Sequence, residues 1–312
     1  RVWRKYTVKA AYAATAFGAA FLAGAASRLK LGHAGSGQSV DERAIKSIRR
    51  DMRYGSGEAQ TFDLYLPAAE RDSYGLVVYI HAGGFTDGDK REDAPMLKSF
   101  AAKGYVAAGV NYTLHTSAHP EASVTSMSRE IAASIPVIAG EAVRLGYKLS
   151  GMAIGGGSAG GCLALIYAYR DARSAAPPLR FVFEAVGPAG FDAQDWLGSD
   201  VDDEAAAGFA AVMTGRDAAE LLSDRAAYRE SLREISAYML VDGESPPTLC
   251  AYGALDKVVP FVTAEKLRSA LLAHAVEHDF IVLPHSGHGL QNDDRLYRLY
   301  LSKLDEYLER YL

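Results

Sequence analysis

Residues 149–161 read Leu149-Ser150-Gly151-Met152-Ala153-Ile154-Gly155-Gly156-Gly157-Ser158-Ala159-Gly160-Gly161, and an apolar run, 162–167, follows. Residues 149–154 have the make-up of a short, mostly apolar strand, and 159–170 has helical character. Between them stands G-x-S-x-G, from Gly156 to Gly160. Strand, tight turn and helix form the setting in which that motif becomes a nucleophile elbow. The serine then sits at a sharp apex, and small neighbours are needed where strand and helix converge.

Working outward, the same alternation continues. Two strands are predicted at 48–54 and 59–66. The second alternates polar and apolar residues up to Pro67, which predicts a half-exposed antiparallel edge hairpin. Residues 76–80 (Leu-Val-Val-Tyr-Ile) are apolar throughout, as in a buried parallel strand. Helix over 90–103, strand 105–111 and helix 121–145 follow, with Pro136 as an expected kink or break. After the elbow come strand 181–186, strand 248–252, helix 262–273, strand 280–283 and a terminal amphipathic helix over 293–312. Residues 191–245 are acidic and Ala-rich, with helical pieces expected at 204–213, 217–222 and 231–240. They read as a small helical insertion, or cap, over the sheet. The fold class is therefore α/β, a mostly parallel doubly wound sheet flanked by helices.

The chain has 312 residues, 49% of them hydrophobic, enough for a large core. A net charge of −5 with no basic stripe argues against a nucleic-acid partner. Cys162 and Cys250 lie in apolar segments and read as small core residues. There is no zinc-type Cys/His spacing, and no metal or cofactor is expected. Residues 1–40 read as an N-terminal helical segment and linker, and 41–312 as the main domain. Arg1-Val2-Trp3-Arg4-Lys5 is basic, 10–26 carries no charge, and Ala23-Gly24-Ala25 resembles a small-residue cleavage site. A signal peptide, a membrane anchor and a docked helix compete there. Trp3, Tyr6, Ala10, Ala13, Phe17 and Phe21 fall near one helical face, which favours the docked or interfacial helix. A cytoplasmic location is favoured, with anchoring or export as the alternative and 1–30 as the stretch that would touch a membrane.

Serine is a poor nucleophile without a base in hydrogen-bond reach and a third group to orient that base. After an elbow the expected order is Ser, then Asp or Glu, then His. Asp256 follows the strand 248–252, and His288 follows the last strand in Pro284-His285-Ser286-Gly287-His288-Gly289. Both lie where strand C-termini open onto the ligand-binding edge of such a sheet. His285 is the nearest rival base, and Asp192 and Asp195 are the reserve acids. His81-Ala82-Gly83-Gly84-Phe85 follows strand 76–80. Its glycines leave backbone N–H groups open to an oxyanion, so Gly83, Gly84 and Ala159 are the expected donors, with His81 ordering the loop. Phe85, Tyr112, Phe191 and Trp196 are candidate walls of a substrate pocket and equally candidate core residues.

Together these motifs resemble the α/β-hydrolase superfamily, and within it the esterase/lipase group related to hormone-sensitive lipase and small bacterial carboxylesterases. The likeness spans roughly residues 45–312. It implies Ser158 as nucleophile, Asp256 as orienting acid and His288 as base. Two departures matter. Ala82 stands where the hormone-sensitive-lipase pattern usually has Gly, and Gly156 where the lipase-like branch often has Asp. The second shifts the match toward acetyl-esterase and feruloyl-esterase-like members. The expected function is a serine carboxylesterase acting on small, short-acyl esters. The alternatives are an arylformamidase-like amidase with the same triad, and a non-catalytic receptor or interaction module.

Overall fold

A computed structural model describes residues 40–312; the expectations for the N-terminal helix and linker fall on residues outside it. The strands are β1 (Ile45–Arg53), β2 (Thr61–Pro67), β3 (Tyr74–Ile80), β4 (Val106–Val110), β5 (Leu149–Gly157), β6 (Leu179–Ala185), β7 (Thr248–Gly253) and β8 (His278–Leu283). They form one sheet in the order β1-β2-β4-β3-β5-β6-β7-β8. β1 and β4 pair antiparallel with β2; every pairing from β4 through β3 to β8 is parallel. β3 and β4 are buried along their whole length. Such strands read as unbroken apolar runs because both faces are covered.

Alternate residues of each strand feed two cores. Leu76, Val78 and Ile80 of β3 pack with α2 (Val124–Arg144), α3 (Ala159–Ile166) and α8 (Phe261–Ala273). Val77 and Tyr79 pack on the other face with α1 (Ala94–Ala102) and α9 (Asp294–Tyr311). Between β6 and β7 the chain forms α4 (Ala193–Leu197), α5 (Asp203–Thr214), α6 (Ala218–Ser223) and α7 (Arg225–Arg233), and α5 lies against α2. This is the α/β-hydrolase fold with helices inserted between the sixth and seventh strands.

Three local expectations need correction. The alternating segment 60–66 is not an exposed edge. β2 is paired on both sides and buried from Phe62 to Pro67. Its polar residue Asp63 points inward because Lys90 Nζ lies 3.2 Å and Arg50 Nη1 3.3 Å from its carboxylate. Pro136 does not break α2. It faces solvent, so the carbonyl that loses its partner can bond water, while Ile131, Ile135 and Ile138 anchor the buried side. The helix expected at 231–240 begins at Arg225, because Asp224 Oδ1 caps the N–H groups of Ala226 and Ala227; 237–239 is only a 3₁₀ turn.

Candidate active site

β5 runs to Gly157 and α3 starts at Ala159, leaving Ser158 alone at the bend with φ 53° and ψ −121°. That region is costly for a residue with a Cβ and persists only where the surroundings hold it. Here Ser158 N–H donates to the Ala185 carbonyl at 2.8 Å, and Ser158 C=O accepts from Cys162 N–H at 3.0 Å. The glycines of the motif have a packing cause. A methyl on Gly160 would overlap the Ile80 carbonyl, and one on Gly156 would come within 2.6 Å of the same oxygen. The end of β3 therefore presses backbone to backbone against the elbow.

His288 Nε2 lies 2.9 Å from Ser158 Oγ, and Nδ1 lies 2.8 Å from Asp256 Oδ2. A carboxylate can only accept, so Nδ1 carries the proton and Nε2 is left to accept from the serine hydroxyl. Asp256 Oδ1 accepts from the N–H groups of Val258 and Val259 at 2.8 and 3.0 Å. The acid thus also caps its own turn, which fixes the oxygen that faces His288. Leu255 N–H donates to the Ser286 carbonyl at 2.9 Å and joins the acid loop to the histidine loop. Ser158 and His288 are buried at 2% and 7% exposure, so contacts within this set act with little screening by water.

The rival groups have other partners. His285 is exposed and its Nδ1 lies 2.9 Å from Asp293. Asp192 and Asp195 bind Lys266 Nζ at 2.8 and 2.5 Å, and Asp192 also accepts from Tyr238 Oη. The sequence marks Asp293 only as the start of a helix. It accepts from His285 N–H and Ser286 Oγ, and so ties down the loop that carries His288. No local pattern marks that task.

The loop after β3 turns sharply. Thr86 and Asp87 N–H groups both donate to Gly83 C=O, and Gly83, Gly84 and Phe85 have φ values of 125°, 64° and 65°. Ala82 is not among the positive-φ residues, so its methyl is accommodated there. No described residue accepts from the N–H of Gly83, Gly84 or Ala159. The Ser158 N–H, by contrast, is already used by Ala185. His81 stacks on Tyr112 with ring centroids 4.4 Å apart, and its Nδ1 lies 2.6 Å from Ala82 O. Burial pushes its pKa down to about 4, so the ring is neutral near pH 7 and Nδ1–H donates to that carbonyl. Lys90, fully buried downstream of the loop, bonds Asp51 Oδ1 at 2.6 Å and Asp63. Asn111 binds both Lys90 N–H and Asp89, fastening the far end of the loop to the sheet.

The four candidate wall residues divide. Phe85 lines a cavity of about 50 Å³ beside Gly84, together with Val124, Met127, Val212 and Met213. Tyr112 is buried beneath the loop, where its hydroxyl donates to His81 C=O at 3.2 Å. Phe191 is fully buried and stacks on Trp196 at 5.7 Å, and Trp196 Nε1–H donates to Gly190 C=O. Nothing in the sequence singles out Val124, Met127, Val212 or Met213. They read as ordinary helix-core positions until α2 and α5 are brought together. Among the described residues no group of three His, Cys, Asp or Glu side chains could hold a metal ion. No described helix is long and apolar enough to cross a membrane.

A serine at a strand–helix elbow, with an acid and a histidine after the last two strands of a mainly parallel sheet, defines the chain as an α/β-hydrolase. It belongs to the BD-FAE family, whose match covers residues 62–271, more than half of the chain. Kynurenine formamidase from Danio rerio is 26% identical over 129 residues, a stretch that spans 41% of this chain and 41% of that enzyme. Among solved structures, esterase B from Lactobacillus rhamnosis is 20% identical, with a TM-score of 0.68 and 98% and 97% of the two chains covered. A truncated carbohydrate esterase from gut microbiota is 18% identical, with a TM-score of 0.68 and 87% and 98% covered. At these identities the structural likeness concerns the fold.

Proposed function

We propose that the protein is a serine carboxylesterase acting on small esters with short acyl groups. The observation that carries this reading is the unbroken chain from Asp256 through His288 to Ser158 Oγ, two contacts of 2.8 and 2.9 Å. Ser158 Oγ attacks the ester carbonyl while His288 Nε2 takes its proton. The N–H groups of Gly83, Gly84 and Ala159 receive the negative charge that develops on the carbonyl oxygen. Collapse expels the alcohol, which takes the proton from His288, and leaves an acyl group on Ser158. Water then attacks the acyl carbon while His288 Nε2 takes its proton; the acyl–Oγ bond breaks, His288 returns the proton to Ser158 Oγ, and the acid leaves. Asp256 keeps the imidazole in the right tautomer and stabilises its cation. The cavity beside Gly84 supports a short acyl group. It measures about 50 Å³ and is lined mainly by apolar side chains.

An aryl formamidase is the second reading, favoured by the partial match to kynurenine formamidase. A formyl group is the smallest acyl group, and the same triad would cleave it. Turnover of p-nitrophenyl acetate, butyrate and octanoate, and of an aryl formamide, by wild type and Ser158→Ala separates the two. The esterase reading expects acetate and butyrate to be cleaved fastest and the serine variant to lose on the order of 10⁴-fold or more in kcat. Formamide turnover far above that of esters would replace it with the second reading. Equal turnover by the variant would remove Ser158 from the mechanism.

A further inference from the structure

Glu184 lies in the apolar strand Phe181-Val182-Phe183-Glu184-Ala185, in the middle of the sheet, and is fully buried. A buried carboxyl is normally paired with a cation or turned toward solvent. Its titratable neighbours on the same face of the sheet are Cys162 from α3, Tyr169 just beyond α3, and Cys250 and Tyr252 from β7, while Tyr79 and Tyr300 belong to the core on the opposite face. None of these is a base. Its Oε2 accepts from Gly187 N–H at 2.7 Å, and the Tyr252 hydroxyl and Cys250 thiol of β7 lie beside the carboxyl as its other polar neighbours.

Gly187 closes the turn after β6, in which Val186 has φ 52°. Its N–H is held by Glu184 and its C=O accepts from Tyr252 Oη at 2.9 Å. The residue that precedes this turn, Ala185, supplies the carbonyl that binds Ser158 N–H. The carboxyl is wedged between turn and elbow. A methyl on Gly161 would come 3.1 Å from Oε2, and a methyl on Gly187 would meet both Oε2 at 2.9 Å and Cys162 N at 2.8 Å.

From this geometry, and resting on the reading of Ser158 as nucleophile, we infer that Glu184 is a positioning residue: its buried carboxyl clamps the Ala185–Gly187 turn to the back of the elbow and thereby sets the place of Ser158 Oγ. The clamp works in the neutral form. Oε2 is then the carbonyl oxygen that accepts from Gly187, and Oε1 carries the proton. Burial pushes the carboxyl up to about 8, and no cation among the described residues offsets it. Ionisation above that pH places an uncompensated charge under the elbow and loosens the turn.

Two measurements on the full chain test this. Ester kcat and KM are followed from pH 6 to 10 for wild type, Glu184→Gln and Glu184→Ala. Glutamine keeps the carbonyl and cannot ionise. It should hold kcat at pH 7 near wild type and abolish a loss of kcat that sets in around pH 8. Alanine should cost about 10²-fold in kcat with KM little changed, the size expected for a misplaced nucleophile. A Glu184→Ala protein that is folded and turns over like wild type overturns the inference, as does an alkaline loss that survives in Glu184→Gln. Amide hydrogen exchange supplies a readout independent of turnover. After correction for intrinsic rates, the peptide containing Ser158–Cys162 should open between pH 7 and 9 in wild type and stay closed in Glu184→Gln. Equal protection in both at both pH values overturns the clamp. A wild type that cleaves no ester or formamide, yet shows this exchange pattern, would sink the functional reading and leave the clamp standing.

Discussion

At the strand ends, backbone meets backbone. The Ile80 carbonyl abuts Gly156 and Gly160, Ala185 C=O holds Ser158 N–H, and Ser286 C=O holds Leu255 N–H. Between β6 and β7 the four helices are held differently. Side chains stack, as Phe191 on Trp196, and ion pairs such as Lys266 with Asp192 and Asp195 sit partly in solvent. Backbone contacts have no rotamers with which to relax, whereas side chains and partly solvated charges do. A change at the rim should therefore act steeply on turnover or folding, and a change in the insertion should be absorbed.

The steepest test is Asp256→Asn. The amide keeps the shape of the acid but no longer imposes the Nδ1–H tautomer, and kcat should fall roughly 10⁴-fold while the unfolding midpoint stays near wild type. An effect below tenfold would mean that the rim is not organised around this pair. Next comes Gly160→Ala. Its methyl would overlap a backbone carbonyl that cannot rotate away, so a loss of about 4 kcal/mol in urea unfolding is expected, in the exceptional range for a single methyl. Near wild-type stability would show that β3 and the elbow can slide apart.

A third test uses pH. Buried His81 binds its proton near pH 4 in the folded protein, against 6.5 when unfolded. The unfolded state therefore holds more protons between these values. The contribution is complete above about pH 6.5 and is lost as pH falls toward 4, by about 3 kcal/mol. Urea unfolding at pH 7 and 4.5 should show a smaller difference in His81→Gln than in wild type; an unchanged difference would place the acid sensitivity elsewhere. The smallest effect belongs to the insertion. Lys266→Met removes two partly exposed ion pairs and should cost no more than about 1 kcal/mol, with kcat on acetate within about twofold. A drop in kcat comparable to that of Asp256→Asn would erase the contrast between the two regions.

The order of strands and helices, the elbow and the placement of Asp256 and His288 after their strands were all legible along the chain. Each is written in a local signal: an unbroken apolar run, a cluster of glycines, a polar residue just past a strand. The helical insertion was legible as a change of texture, but not in its phasing, because the cap at Asp224 competes with similar acidic residues nearby.

What the sequence by itself determined is the set of groups and their order, since periodicity and turn chemistry act over a few residues. Tertiary packing alone decided where those groups meet and what stands behind them. It turned Asp63 inward to meet Lys90, which made an alternating strand an interior one. It brought Val212 and Met213 of α5 to Met127 of α2 to form the cavity beside Gly84. It set Glu184 under the elbow and Asp293 behind the histidine loop. These contacts join residues far apart in the chain through burial and hydrogen-bond satisfaction, and no local pattern encodes which distant partner a buried polar group will find.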